Sequence, residues 1–166
     1  MVSSGGKRPR FAALMAFALA VGASGAAPLP AQTPSPDAGQ PQHLSTVPLT
    51  IASGGHLHRF KVEVARTDAQ QELGLMFRRR IDPDGGMIFP MDPPHRATFW
   101  MKNTLVPLDM VFIRTDGTIA RVAANTVPLS LDLVDAGETV GSVLELAGGR
   151  AAQLQIGAGD KVRWNG

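Results

Sequence analysis

The sequence predicts a domain of the α+β class that is mainly β: a single compact small barrel or sandwich of short strands with one or two short helices. Three observations predict it. Residues 59–64 alternate strictly, with Phe60, Val62 and Val64 on one face and Arg59, Lys61 and Glu63 on the other, which is the period of a half-buried strand. The apolar runs after Val47 are short and are punctuated by turn signals such as Ser53-Gly54-Gly55 and Asp116-Gly117. Only one clear helix start appears, at Thr67.

The chain opens on a segment outside that domain. Lys7, Arg8 and Arg10 precede an apolar run from Phe11 to Ala23, too short to span a bilayer comfortably, and small residues follow it. This is the pattern of a secretory signal. It covers residues 1–27, with cleavage expected between Gly25 and Ala31. The absence of cysteine excludes a lipoprotein anchor. Residues 28–46 are rich in proline, carry few apolar residues and show no periodicity, so they read as an extended, disordered linker. The β-rich domain is expected over 47–166.

Within the domain, Val47 to Ala52 reads as a strand, turned by Ser53-Gly54-Gly55 into the alternating strand that ends near Val64. Thr67 can cap a helix, with Gln70 completing a capping box. That helix, Asp68 to Met76, is expected to turn Leu73 and Met76 inward and to contain Gly74, at about 1 kcal/mol against alanine. Met87 to Met91 is a short apolar strand, with Pro90 suggesting an edge or bulge. Asp92 to His95 reads as a loop. Arg96 to Asn103 and Leu108 to Thr115 read as two strands, and Asp116-Gly117 turns the second into Thr118 to Ala124. In the irregular stretch that follows, Leu131, Leu133 and Val134 are expected to point inward. Ser142 to Leu146 is a strand, residues 148–155 hold one or two helical turns, and Asp160 to Trp164 closes the chain.

The charge balance excludes some classes. Loss of the signal removes three of sixteen basic residues, which leaves thirteen against fourteen acidic ones. Nucleic acid is therefore not an expected partner, because it calls for a basic surface. No cysteine means no disulfide and no thiol nucleophile. Residues 148–153 lack the Lys and Ser/Thr of a phosphate loop, and no Gly-x-Ser-x-Gly elbow is present.

The run from Phe99 to Ile113 carries Lys102, Asn103 and Asp109 inside an apolar stretch. Trp100 and Lys102 share a strand face, and Asp109 meets them only if the hairpin register allows it. Together these groups would hold a small polar ligand. The other reading makes Asn103 and Asp109 hydrogen-bonding partners of turn backbone; on it, Asp109→Asn is mild. Glu72 lies on the early helix. Arg78, which follows Gly74 to Phe77, is the member of the Arg78–Arg80 cluster expected to point inward and to grip an anion. Five methionines fall between positions 76 and 110. Met87, Met91 and Met101 with His95 make an alternative Cu(I) site of thioether and imidazole ligands, although methionine is also an ordinary core filler. Glu72 and Asp109 would make a hydrolytic carboxylate pair only if the fold brings them together.

The residues Val62 to Arg80, Gly85 to Met91, Phe99 to Ile113, Asp116 to Ile119, Ser142 to Gly149 and Gly157 to Val162, in that order, resemble the domain of unknown function 192 family of small, often exported bacterial and archaeal proteins. The combination of Phe99 to Thr104 with Pro107 to Asp109 is the most specific part. The resemblance implies a compact β-rich fold and brings no catalytic residues, cofactor or ligand. The chain departs most from the family pattern over Pro128 to Thr139.

These features lead to an exported, periplasmic or extracellular domain, without a stable membrane span after signal cleavage and monomeric. It would be a non-catalytic binding or accessory domain for a small polar ligand held near Trp100, Lys102, Asn103, Asp109, Glu72 and Arg78, with no cofactor. The alternatives are a periplasmic Cu(I)-binding protein and a hydrolase acting on envelope glycan or peptide.

Overall fold

The computed structural model describes residues 39–165. The signal segment, its cleavage point and the linker up to residue 38 lie outside the described residues. The chain runs β1 (Thr46–Ser53), β2 (His56–Val64), α1 (Asp68–Leu73), β3 (Met87–Phe99), β4 (Leu108–Ile113), β5 (Ile119–Ala123), β6 (Val134–Ala147), α2 (Arg150–Gln153) and β7 (Lys161–Trp164). Among the described residues no helix is long and apolar enough to cross a membrane.

The seven strands form one sheet in the order β5-β4-β6-β3-β2-β1-β7. The β2–β3 pair is parallel and the other neighbours are antiparallel. The sheet curls until its two edges touch. Thr118 bridges Lys161, the Ile119 N–H donates to the Asp160 carbonyl at 2.9 Å, and the Val162 N–H donates to the Gly117 carbonyl at 2.8 Å. The expected small barrel is therefore a curled half-barrel with little exposed edge, and its two helices are short, as the sequence predicts.

Two apolar clusters fill the two faces. Inside the curl lie Leu49, Ile51, Phe60, Val62, Ile88, Val111, Ile113, Leu144 and Leu146. On the outer face of β3, β4 and β6 lie Met87, Phe89, Met91, Met110, Phe112 and Val143. The central strands are therefore covered twice, which is why every residue of β4 is buried and why its sequence reads as a nearly unbroken apolar run.

Several expectations change. β3 is a single irregular strand that absorbs the loop expected at Asp92 to His95, with register shifts where it passes β6. β3 and β4 do not pair, because β6 lies between them. The register question between Lys102 and Asp109 therefore disappears. Leu131 and Leu133, expected inward, are 65% and 70% exposed. Their loop is held to the 101–104 segment by Leu129 N–H to the Thr104 carbonyl and Met101 N–H to the Ser130 carbonyl. Met101 and Thr126 are buried instead, and the Thr126 hydroxyl donates to the Leu108 carbonyl at 2.9 Å. The end of the expected linker is already part of the domain: Gln42 Nε2 donates to the Gln70 and Gly74 carbonyls at 2.8 and 2.9 Å, and Ser45 accepts from the Val64 N–H.

Glu63 also departs from simple alternation. It sits on the polar face of β2 yet is buried, because Arg78 folds over it. Arg78 Nη1 and Nη2 donate to its two carboxylate oxygens at 2.7 and 2.8 Å, and the Leu44 N–H adds a third bond at 2.6 Å. Arg78 thus points inward, as expected, but onto a carboxylate of the chain itself. Removing one partner of such a pair strands the other, and both side chains keep about a tenth of their surface in water. Arg78→Met should therefore cost about 2–3 kcal/mol, toward the low end for a buried pair. Urea unfolding of Arg78→Met, Glu63→Gln and the double variant checks this; strictly additive losses would show that the two side chains do not support each other.

Candidate functional site

The site begins with the short helix. Thr67 accepts from the Gln70 N–H, and the Gln70 side chain accepts from the Thr67 N–H, so the capping box forms as expected. Gly74 ends α1 rather than lying within it, at φ +47° and ψ −132°. A Cβ there would take on strain and would come within 3.5 Å of the Phe89 ring. Gln71 Nε2 ties α1 to β3 by donating to the carbonyls of Ala65 and Pro90 at 3.2 and 2.9 Å.

Between α1 and β3 this leaves a cavity of about 230 Å³. Met76, Phe89, Met91, Ala97 and Phe99 supply apolar wall, and Phe89 meets Phe99 edge-to-face at 5.2 Å. Glu72, His95 and the half-exposed Trp100 stand at the mouth. The His95 Nδ1 lies 2.9 Å from the Pro93 carbonyl. That bond assigns the ring proton to Nδ1 and leaves Nε2 as an acceptor.

The buried end of the cavity carries Glu145 of β6, 5% exposed, opposite Met87 on β3 and Met110 on β4. Among the described residues no cation and no hydrogen-bond donor meets its carboxyl, and burial alone pushes its pKa up to about 8. At neutral pH it holds a proton. The sequence reading did not select Glu145. The available signal was the one that selected Asp109: a carboxylate between two leucines, Leu144 and Leu146, in an apolar strand.

A second cavity of about 360 Å³ adjoins the first and shares Glu72, Leu73, Met76 and Trp100 with it. Lys102 and Asn103 line this second cavity. The Lys102 ammonium lies 4.9 Å from the Trp100 ring centroid. Asn103, at φ +56°, accepts the Phe77 N–H at its carbonyl at 2.9 Å, and its Nδ2 approaches the Met76 sulfur at 3.8 Å.

The fold therefore gathers Trp100, Lys102, Asn103 and Glu72 around one pair of adjoining cavities. Asp109 and Arg78 line neither of them. Asp109 is fully buried in β4 and accepts the N–H groups of Asn125, Gly149 and Ala151 at 2.8, 2.9 and 2.8 Å. It ties the start of α2 to the sheet and is not brought to Glu72, Lys102 or Asn103. Of the four candidate copper ligands, Met91 and His95 line the first cavity, whereas Met87 and Met101 are packed in the core. No group of three or more His, Cys, Asp or Glu suited to a metal ion occurs among the described residues.

Comparison with known proteins gives a family described as uncharacterised. The model of the DUF192 family, described as uncharacterised ACR, matches residues 49–164. No curated protein matches the chain. A crystal structure from Novosphingobium aromaticivorans DSM 12444, of a protein of unknown function, is 42% identical. It superimposes with a TM-score of 0.72 over 80% of this chain and 99% of its own. A second, from Sinorhizobium meliloti 1021, is provisionally named a transcription regulator. It is 38% identical, with a TM-score of 0.72 over 74% of this chain and 96% of its own.

Proposed function

The chain belongs to the DUF192 family, and from that premise we propose that it is an exported, non-catalytic binding domain that holds one small molecule in the cavity between α1 and β3. One observation carries the reading: the cavity ends on the carboxyl of Glu145, which no described residue neutralises or hydrogen-bonds. The carboxyl opens onto the cavity, and a ligand there would supply the partner that the fold does not. Apolar walls from Met76, Phe89, Met91 and Phe99 stand beside convergent polar groups, Gln71, Glu72 and Glu145 among them, a mixture that small-molecule pockets use to fix orientation. Trp100 and Glu72 are where such a ligand would enter. The regulator name stays with the relative that bears it. The two helices among the described residues have six and four residues, short for a helix that reads the major groove.

A second reading, Cu(I) held by thioethers and imidazole, is favoured by one observation: Met76, Met91 and the free Nε2 of His95 open on the same cavity. One experiment separates the two. Native mass spectrometry of the chain isolated from the cell envelope should show one equivalent of an organic molecule. The adduct should be lost when Ala97→Leu, at a buried position of the cavity wall, narrows the cavity. The polypeptide mass should also lack the first 25 to 31 residues. One equivalent of copper, lost in Met91→Leu, would favour the second reading. A bare polypeptide that takes up nothing from a metabolite extract and no added Cu(I) would overturn both.

A further inference from the structure

We propose that the cavity between α1 and β3 selects an organic ammonium group, a small primary amine on a compact apolar body, with Glu145 as its counter-ion. This rests on the cavity being a ligand site and names the chemistry it takes. The carboxyl groups that line it are Glu145 from β6 and Glu72 from α1; its lining includes no Lys or Arg, and His95 from β3 is its remaining titratable group. Lys102, the nearby cation over Trp100, lines the adjoining cavity instead. An anionic ligand would meet two carboxyls and no cation.

The walls suit a cation as well. Phe89, Phe99 and Trp100 present aromatic surface, and Met76 and Met91 present polarisable sulfur. Aromatic faces attract ammonium groups, most strongly where water is excluded. Hard divalent ions call for about six oxygen ligands, far more than two carboxyls provide. A primary ammonium needs only one buried carboxylate and a few acceptors, and His95 Nε2 is free to be one.

The step balances simply. Burial keeps Glu145 protonated at neutral pH. The ligand arrives as an ammonium, the Glu145 proton leaves to solvent, and the carboxylate and ammonium pair inside the cavity. One proton is released for each ligand bound, and no covalent bond to the ligand forms or breaks.

The test uses benzylammonium and its neutral isostere benzyl alcohol as probes, titrated into the mature chain at pH 7 by calorimetry in two buffers of different ionisation enthalpy. Benzylammonium should bind at least about tenfold more tightly than benzyl alcohol, a difference of about 1.4 kcal/mol, and should release close to one proton. Glu145→Gln, which keeps the shape of the protonated side chain, should lose about tenfold in benzylammonium affinity and should release no proton. Its affinity for benzyl alcohol should stay within about twofold. Equal binding of the two probes by the wild-type chain would overturn the amine assignment while leaving the cavity a ligand site. Binding of neither probe also overturns the assignment, and the native mass spectrum then decides whether the cavity binds anything.

Discussion

Asp109→Ala should lower the unfolding free energy by about 4 kcal/mol. Three backbone N–H groups converge on this one side chain: Asn125 and Gly149 on Oδ1, and Ala151 on Oδ2, all within 2.9 Å. The residue is fully buried, so no solvent-exposed group stands ready to replace the lost acceptor. A hydrogen bond to a charged group contributes roughly 1.5–3 kcal/mol, and a stranded buried donor costs about 1–3 kcal/mol. Three such bonds would exceed the estimate if they were additive; partial collapse and water entry lower it. The loss should be concentrated at the start of α2, whose first residues have no other side-chain cap. The structure also revises the expectation for Asp109→Asn. An amide keeps one acceptor oxygen, which serves Asn125 and Gly149, but turns its NH₂ group toward the Ala151 N–H. That clash of donors should cost about 2 kcal/mol rather than being mild. Urea unfolding at pH 7 checks both values. An Asp109→Ala variant within 1 kcal/mol of wild type would mean that the carboxyl does not hold the barrel end together.

The second large effect is a dependence of stability on pH centred on Glu145. Burial raises its pKa from 4.5 to about 8 in the folded chain. Between those values the folded state holds a proton that the unfolded state has lost, so ν_U − ν_N is close to −1 and stability falls as pH rises. The fall begins near pH 4.5 and levels off above pH 8. Its full size is on the order of 5 kcal/mol, at 1.36 kcal/mol per pKa unit, and water entering the cavity on ionisation would reduce it. The groups facing Glu145 across the cavity are Glu72 and His95, so the cleanest measure is a difference. Glu145→Gln is neutral at every pH and keeps the other titrations. Wild type and variant should have similar stability near pH 5, and the variant should be the more stable by several kcal/mol at pH 8.5. Parallel pH profiles would place the Glu145 carboxyl in contact with water or with a cation.

The contrast between the two carboxylates shows where sequence reading reaches its end. Both sit in apolar strands between large hydrophobic residues, Asp109 between Leu108 and Met110 and Glu145 between Leu144 and Leu146. Alternation alone makes each one anomalous. It does not say what lies opposite. Asp109 points into the end of the curl, where three N–H groups from other segments meet it. Glu145 points to the outer face, where Met87 and Met110 flank it and a cavity opens. One strand position decides between a satisfied structural carboxylate and an unpartnered one. Glu63 makes the same point: its alternation places it in solvent, and Arg78, fifteen residues later, buries it.

The sequence by itself determined the local structure. Phe60, Val62 and Val64 set a strand face, Thr67 and Gln70 set a helix start, and Asp116-Gly117 set a hairpin, because each depends on neighbours within a few residues. Membership of the family was equally legible, in the run from Phe99 to Ile113. The order of the strands was not, because it rests on contacts between residues far apart in the chain. Tertiary structure alone placed β6 between β3 and β4, took Asp109 away from Lys102, and left Leu131 and Leu133 outside. It also brought Glu72 of α1, Glu145 of β6 and Trp100, just past the end of β3, to one cavity. Side-chain periods repeat within a strand or a helix, whereas a site depends on which elements pack against one another, and that choice is made by the burial of the whole sheet rather than by any one segment.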